Sequence, residues 1–381
     1  MIVDVIVPVF NNFQLVRDCL ESVIASDCET SFEFIVIDDG SSDEELKAYL
    51  RQRADDGGFT LLVNPENLGF TRTVNRGMAL HPDRDVVLLN SDTVVYRDWL
   101  DRLFRAAYAA PEIATSNPMT NSNGSHISYY PVSAPINHIA VEVDDDTLDA
   151  LAADFNRDRS VVVHVSVGFC MYIKRECLND IGLFDAVEFP IGYGEESDFC
   201  YRAYKMGWRH AIAGDVFVTH LEGKSFGDRK ARLMQEMFAK FERLHPEIKV
   251  RDPEFALKDP VRVLRQGLDL ARIKNLLGGG QTLVLRSTDE TDLTEEPAPV
   301  FLLLDVDRRH ARFHIGFEAV FPNLDIYELP KDIAKLNADM RRLGVTGFSG
   351  RGAALRALEA VTAGKPYELT VEAELLENSA A

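Results

Sequence analysis

Four short stretches bring together side chains that could do chemistry: Asp38-Asp39-Gly40-Ser41-Ser42-Asp43, Asn90-Ser91-Asp92, Glu195-Glu196-Ser197-Asp198, and His220 followed by Gly223-Lys224-Ser225. A carboxylate such as Asp38 or Asp39 can accept hydrogen bonds from a nucleotide base or ribose. The same residues also suit a turn followed by a helix cap, for purely local reasons. Asp92 can cap the helix through Trp99, or it can offer oxygen to a divalent cation whose shell the neutral imidazole of His220 would complete. Gly223-Lys224-Ser225 resembles the end of a phosphate loop, but that motif needs a glycine at 218, where Val218 stands. Lys224 and Ser225 can still turn a charge and a hydroxyl toward phosphate.

The run "GYGEESDFCYR" (192–202) sets three carboxylates behind two glycines, at the start of a helical pattern. Acids in a first helical turn favour the positive end of the macrodipole, and Asp198 lies one turn from Arg202, so an ion pair accounts for it. Glu195 and Glu196 are consecutive, and consecutive helical residues diverge by about 100°. The two carboxyls are therefore expected to point apart and take separate roles, one orienting an acceptor and the other taking its proton.

Strands and helices alternate ahead of these stretches. Val3–Val9 is a β-branched run ended by an Asn-Asn turn, and Leu15, Cys19, Leu20 and Val23 then fall on one helical face. Strands are expected at 34–37, 59–63 and 86–89, with helices between them and another at 98–110. This alternation predicts an α/β fold, a mostly parallel central sheet flanked by helices, with ligands at the carboxyl ends of the strands. From 117 to 159 the order is expected to lapse into an insertion over the site, because "SNPMTNSNGSHISYYP" is rich in turn formers. A strand at 161–167, a helix at 195–206 and a strand at 215–219 follow.

Helical periodicity at 256–277 ends in Gly278-Gly279-Gly280, which reads as a linker. The expected division is 1–250 for the main domain, 251–280 for a helical segment and linker, and 281–381 for a small C-terminal α/β unit of unknown role. The 381 residues are 46% hydrophobic, as in an ordinary globular chain. With 41 Lys and Arg against 61 Asp and Glu, the formal charge is −20, which argues against nucleic acid as a partner. Five cysteines without metal-like or redox spacing suit a reducing compartment. The opening residues lack a basic leader, so a cytoplasmic protein is expected, with peripheral attachment to the inner face of a membrane left open.

In their order, "VDVIVPVFNN", "FIVIDDGSSDE", "NPENLGFTRTVNRG", "LLNSDTVV", "GFCMYIKRECLNDIGLFDA", "GYGEESDFCYRAYKMGWR" and "VFVTHLEGKSF" resemble an inverting family 2 glycosyltransferase, of the rhamnosyltransferase-like branch. The resemblance covers residues 2–226. It implies a GT-A fold, Rossmann-like, and transfer of a sugar from a dTDP- or UDP-linked donor to a hydroxyl of a glycan or lipid-linked acceptor in bacterial surface polysaccharide synthesis. It further implies that Pro8, Asp38 and Asp39 lie at the nucleoside, with Asn67, Gly69, Arg72 and Asn75 closing that pocket and Ser91, Lys224 and Ser225 near the donor. Asp92 and His220 would hold Mg²⁺ or Mn²⁺. Glu196 would be the catalytic base, with Glu195 and Asp198 on the acceptor side. Two residues depart from the family pattern: Asn90 stands where the first acid of Asp-x-Asp is expected, and Glu196 where Asp is usual. A nucleotidyltransferase would want a glycine-rich basic loop after the first strand, which "PVFNNFQLV" lacks. A degenerate sugar-nucleotide-binding or scaffolding protein is the alternative that Asn90 supports.

Overall fold

The computed structural model describes residues 1–122, 126–131, 141–221, 227–278, 282–286, 302–305, 310–315, 320–328, 331–345, 347–350 and 370–371. These fall into two compact units. The first takes in the described residues through Leu264 except 141–144, and the second takes 141–144 and Arg265 onward.

In the first unit, β1 (Val3–Val9), α1 (Phe13–Ile24), β2 (Phe32–Asp38), α2 (Glu44–Asp55), β3 (Thr60–Val63), α3 (Phe70–Met78) and β4 (Asp85–Leu89) alternate as expected. After them come β5 (Thr93–Val94), α4 (Trp99–Ala107), β6 (Ile113–Thr120), α5 (Asp145–Phe155), β7 (Ser160–Val163) and β8 (Cys170–Ile173). The remaining elements are α6 (Arg175–Ile181), α7 (Glu195–Lys205), β9 (Arg209–His220), α8 (Gly227–Leu244), α9 (Ile248–Lys258) and α10 (Arg262–Leu277), the last of which contains the boundary between the units. Strand order is β3-β2-β1-β4-β8-β6-β9-β5, with β7 also pairing with β9. The fold is GT-A-like α/β.

The ladders from β3 to β4 are all parallel. The near-continuous apolar runs of β1 and β4 suit this position, because such strands are covered on both faces. Ile6, Ile35, Ile37, Val74, Met78, Val86 and Leu88 form one core on the α3 side of this half. From β4 onward the sheet becomes mixed, since β8 runs antiparallel to both β4 and β6 while β6 runs parallel to β9.

Residues 117–120 are not part of an insertion. They complete β6, whose eight residues are all buried in the middle of the sheet. Ser116, Asn117 and Pro118 look like loop residues because their types favour turns, but here the polar groups are satisfied inside the fold. Asn117 Nδ2 donates to the Val167 and Cys170 carbonyls at 2.7 and 2.6 Å, and Ser116 Oγ donates to the Leu103 carbonyl at 2.7 Å. Pro118 has no N–H to give the ladder, and the register with β9 shifts directly after it.

Helix α5 is held by charge as well as packing. The Asp149 carboxylate, fully buried, receives Arg102 Nη1 and Nη2 at 2.8 and 2.9 Å and the Phe217 amide at 3.0 Å. Arg102 also donates to Asp98 at 2.9 Å. No described helix is long and apolar enough to cross a membrane.

In the second unit, β10 (Thr282–Arg286), β11 (Leu302–Asp305), β12 (His310–Ile315), β13 (Ile326–Glu328), α11 (Ile333–Arg342), β14 (Gly347–Gly350) and β15 (Thr370–Val371) build a six-stranded mixed sheet. Its order is β13-β12-β11-β10-β14-β15. The Tyr327 hydroxyl donates to the Asp339 carboxylate at 2.8 Å inside this unit.

Removing one member of a buried ion pair strands the other charge. Arg102→Met should therefore lower unfolding free energy by about 3 kcal/mol in a urea titration, with the midpoint shifted and the slope unchanged.

Candidate active site

Strand β5 is two residues long, and its antiparallel pairing sets Thr93 opposite His220. The loop leaving β4 is therefore pinned to the end of β9, and Asp92 Oδ1 lies 3.3 Å from His220 Nε2. The Leu221 amide donates to the Asp92 carbonyl at 2.8 Å, which fixes the backbone on both sides of the pair. Phe169 stacks on the His220 ring at 5.1 Å between centroids, and its carbonyl accepts from the Asn90 amide at 2.7 Å.

Gly168, next to Phe169, leads to the glutamates. A Cβ on Gly168 would lie 3.5, 3.6 and 3.8 Å from Glu196 Cβ, Cγ and Cδ. Glu196 thus packs beside the residue that precedes the aromatic cover of His220. On the other side, Gly192, Tyr193 and Gly194 have φ of 115°, 67° and 134°, a run of left-handed backbone directly ahead of α7. Tyr193 is the strained member, since a side chain is disfavoured there. Burial raises its phenol pKa, and Glu195 and then Asp92 add to the shift.

The Glu195 and Glu196 carboxyls do not point apart. They lie within hydrogen-bonding reach of one another, and each has a buried Oε2 without a protein donor. Burial, and then the neighbouring carboxyl, holds Glu195 well above the ordinary glutamate range. Burial also raises Glu196. Helix geometry diverges the Cα–Cβ bonds, but three more rotatable bonds bring the carboxyls back together.

Asp198 has a different task. Its Oδ2 accepts from Arg202 Nε at 2.7 Å, as the spacing predicts, and its Oδ1 contacts His245 Nε2 at 2.8 Å. Lys205 Nζ is 3.0 Å from His245 Nδ1, which leaves the Nε2 proton for Asp198. Asp198 therefore ties α7 to the end of α8.

Residues 4–182 match the protein family described as Glycosyl transferase family 2. Among curated relatives, the chain is 32% identical over 114 residues to an N-acetylglucosaminyltransferase of Azorhizobium caulinodans, covering 29% of this chain and 28% of that protein. It is 22% identical over 256 residues to an uncharacterised protein of Sinorhizobium fredii, covering 62% of this chain and 27% of the other. The chain thus spans about a quarter of the length of these curated relatives. Among solved structures it is similar to the mannosyltransferase PcManGT from Pyrobaculum calidifontis in complex with GDP-Man and Mn²⁺, with 18% identity, a TM-score of 0.47, and coverage of 73% of this chain and 76% of that one.

Within the matched segment the residues expected at the nucleoside gather at the carboxyl ends of β1 and β2, and much of their bonding capacity is already engaged. Asp38 Oδ1 accepts from the Ser41 amide at 2.9 Å, and α2 is capped by Asp43 instead. Asp39 accepts from Asn64 Nδ2 at 2.7 Å and from the Leu68 and Gly69 amides at 2.9 and 3.0 Å, so its carboxylate holds the 64–69 turn closed. Asn67 is exposed and its side-chain oxygen takes a second bond from the Gly69 amide at 3.0 Å. Pro8 is half-buried near the end of β1, and Arg72 is exposed on α3.

Asn75 is a clamp: its amide bonds both the carbonyl and the N–H of Phe184, at 2.8 and 3.2 Å. Gly69, at φ 83°, abuts the glutamate-bearing turn, where a Cβ would come within 2.7 Å of the Pro190 carbonyl oxygen. Ser91 is half-buried beside Asp92. Lys224 and Ser225 lie outside the described residues.

Asp92 and His220 fit a small divalent cation. Cis ligands on bonds of about 2.1 Å sit about 3 Å apart, close to the observed separation, and both are partly open to solvent. A carboxylate oxygen and an imidazole nitrogen are also ligands that Mg²⁺ or Mn²⁺ accepts. Among the described residues one further group could hold a cation, Asp4, Glu33 and His81. It lies at the amino-terminal ends of β1 and β2, away from the glutamates, and Arg84 already supplies positive charge there, 3.1 Å from Asp4 and 2.7 Å from Glu33.

Sequence reasoning missed Tyr193, Phe169 and Gly168. The two glycines flanking Tyr193 were the available signal for a strained turn, whereas nothing local in "VGFC" announces a cover for a distant histidine.

Burial alone would raise the Asp198 carboxyl, but the bonds from His245 and Arg202 overcome it and hold it below the ordinary range. Its stabilisation is thus present above the unfolded aspartate pKa, about 3.9, and is lost as pH falls through the folded value. Asp198→Asn should destabilise the protein at pH 7, and the gap in melting temperature from wild type should close as pH drops below about 4.

Proposed function

We propose that this protein transfers a sugar from a nucleotide-diphosphate sugar, dTDP- or UDP-linked, to a hydroxyl of a glycan or lipid-linked acceptor, with inversion at the anomeric carbon. The observation that carries this reading is the convergence of Asp92 and His220 with Glu196, through Phe169 and Gly168, at the carboxyl ends of the sheet strands. An acid–imidazole pair and a partly buried carboxylate in one place suit a reaction that separates an anionic leaving group from an acceptor proton.

Asp92 and His220 would hold Mg²⁺ or Mn²⁺, which when bound supplies positive charge against the diphosphate as a Lewis acid. A chain of net charge −20 repels an anionic donor at long range, so local positive charge is what such a site needs. Glu196 takes the proton of the attacking hydroxyl, and Glu195 supports it from the preceding position. Asp39 and Asn75 shape the nucleoside side from behind, by holding the 64–69 turn and the backbone at Phe184. A rhamnose donor and a role in surface polysaccharide synthesis, on a cytoplasmic membrane face, complete the reading and rest on the resemblance of the ordered motifs alone.

Asn90, in place of an acid, favours a second reading in which the protein binds nucleotide sugars without turnover. A panel of dTDP-, UDP- and GDP-sugars assayed with Mn²⁺ separates the two: transfer or slow donor hydrolysis with any member supports the enzyme, and binding without either supports the binding protein.

Glu196→Gln should cut kcat by about 10²–10⁴-fold while calorimetric donor affinity stays near wild type. Turnover close to wild type in that variant rules out Glu196 as base. Asp92→Asn and His220→Ala should each weaken Mn²⁺-dependent donor binding by about tenfold or more, with little effect on the metal-free affinity measured in chelator.

A further inference from the structure

We propose that Glu195 and Glu196 operate as one carboxyl pair holding a single proton, which bonds one carboxyl to the other and leaves an oxygen of Glu196 as the open acceptor. The role given to a sugar hydroxyl rests on the transferase reading above, whereas the shared proton does not.

Two orphaned oxygens point to it. Glu195 Oε2 and Glu196 Oε2 are both buried without a donor, although the two carboxyls are in reach of each other. Ionised carboxylates accept hydrogen bonds and cannot give them, so two of them in contact leave each other unsatisfied. One proton between them converts a repulsion into a hydrogen bond.

The surroundings enforce the contact. Both Glu195 carboxyl oxygens lie 3.9 Å from the position a Cβ would take on Gly192, so the group is packed beneath the left-handed turn. Gly168 packs along the Glu196 side chain from the opposite side. The titratable groups facing the pair are Tyr193 from the turn, Cys200 one turn along α7, and Asp92 near Tyr193. None of them is a cation that would favour loss of the proton.

During transfer the acceptor O–H bond breaks and its proton passes to the free oxygen of Glu196, while the acceptor oxygen bonds the anomeric carbon. The bond from that carbon to the diphosphate oxygen breaks, and its electron pair leaves with the diphosphate. The pair then carries two protons and returns one to water.

The test uses the full chain without substrate. Infrared spectra of the wild type should show a protonated-carboxyl band at pH 7 that titrates away only well above the ordinary glutamate range, and Glu195→Gln, a neutral isostere of protonated Glu195, should lack it. Because the folded pKa of the pair is raised, its contribution to stability is full below the unfolded glutamate value and is lost as pH rises through the folded one. The wild-type melting temperature should therefore decline through that interval, and the decline should flatten in Glu195→Gln. In the transfer assay the wild type should show an alkaline limb that this variant loses, alongside a reduced rate, whereas a purely structural Glu195 would leave the shape of the profile unchanged. Absence of the band from the wild type at pH 7 overturns the proposal whatever the variant does, as do superimposable melting profiles. Band and melting behaviour as expected, with no transfer to any acceptor, would keep the proton pair and refute the transferase reading instead.

Discussion

The site depends on a ladder of two residues. Thr93 and Val94 pair with the last two residues of β9, and this short antiparallel contact turns the end of β4 toward the end of a strand that lies far away in sequence. Without it Asp92 would be an acid in a surface loop and His220 the exposed terminus of a strand. With it, their ligand atoms are neighbours, and Phe169 covers the imidazole. So short a strand has little stability of its own. It is held by what lies under it: Thr93 is fully buried and donates to the Asn90 carbonyl at 2.7 Å, and Cys19 of α1 reaches the same carbonyl at 3.4 Å.

The second constraint is the meeting of two turns distant in sequence. The 64–69 turn, closed by Asp39 and Asn64, abuts the 189–194 turn that introduces the glutamates. Thr71 donates to the Phe189 carbonyl, and the absent side chains of Gly69 and Gly192 let the backbones approach. Positive φ at Gly69, Gly192, Tyr193 and Gly194 gathers strain at this contact, where surrounding packing has to maintain it. The two turns are thereby set at a defined spacing by backbone, which is stiffer than any pair of side chains.

Charge is distributed to match. Three buried acids of the first unit face a guanidinium, Asp149 that of Arg102, Asp198 that of Arg202 and Asp4 that of Arg84, while Asp38, Asp39 and Asp85 are held by neutral donors. Glu195 and Glu196 have no such cation and stay partly unsatisfied.

Much of this was legible in the chain. The alternation of apolar runs with helical periods specified the parallel half of the sheet, since β-branched runs need a covered strand and Leu15, Cys19, Leu20 and Val23 need a helix to share a face. The i to i+4 spacing specified the Asp198–Arg202 pair, and the order of motifs pointed to the family whose model matches residues 4–182. What local pattern could not show was anything decided by partners distant in sequence. β6 looked like a loop because its polar side chains find their hydrogen bonds inside the sheet. The bond of Asn75 to the backbone at Phe184 had no local sign, because Phe184 belongs to another part of the chain. The two adjacent glutamates looked divergent because helical geometry governs Cβ directions, whereas the carboxyl positions are settled by the turn and strand packed around them. Sequence by itself determined which residues could form elements and carry charge; the tertiary structure alone decided which of those charges meet, because a hydrogen bond between distant residues is specified by neither of their local surroundings.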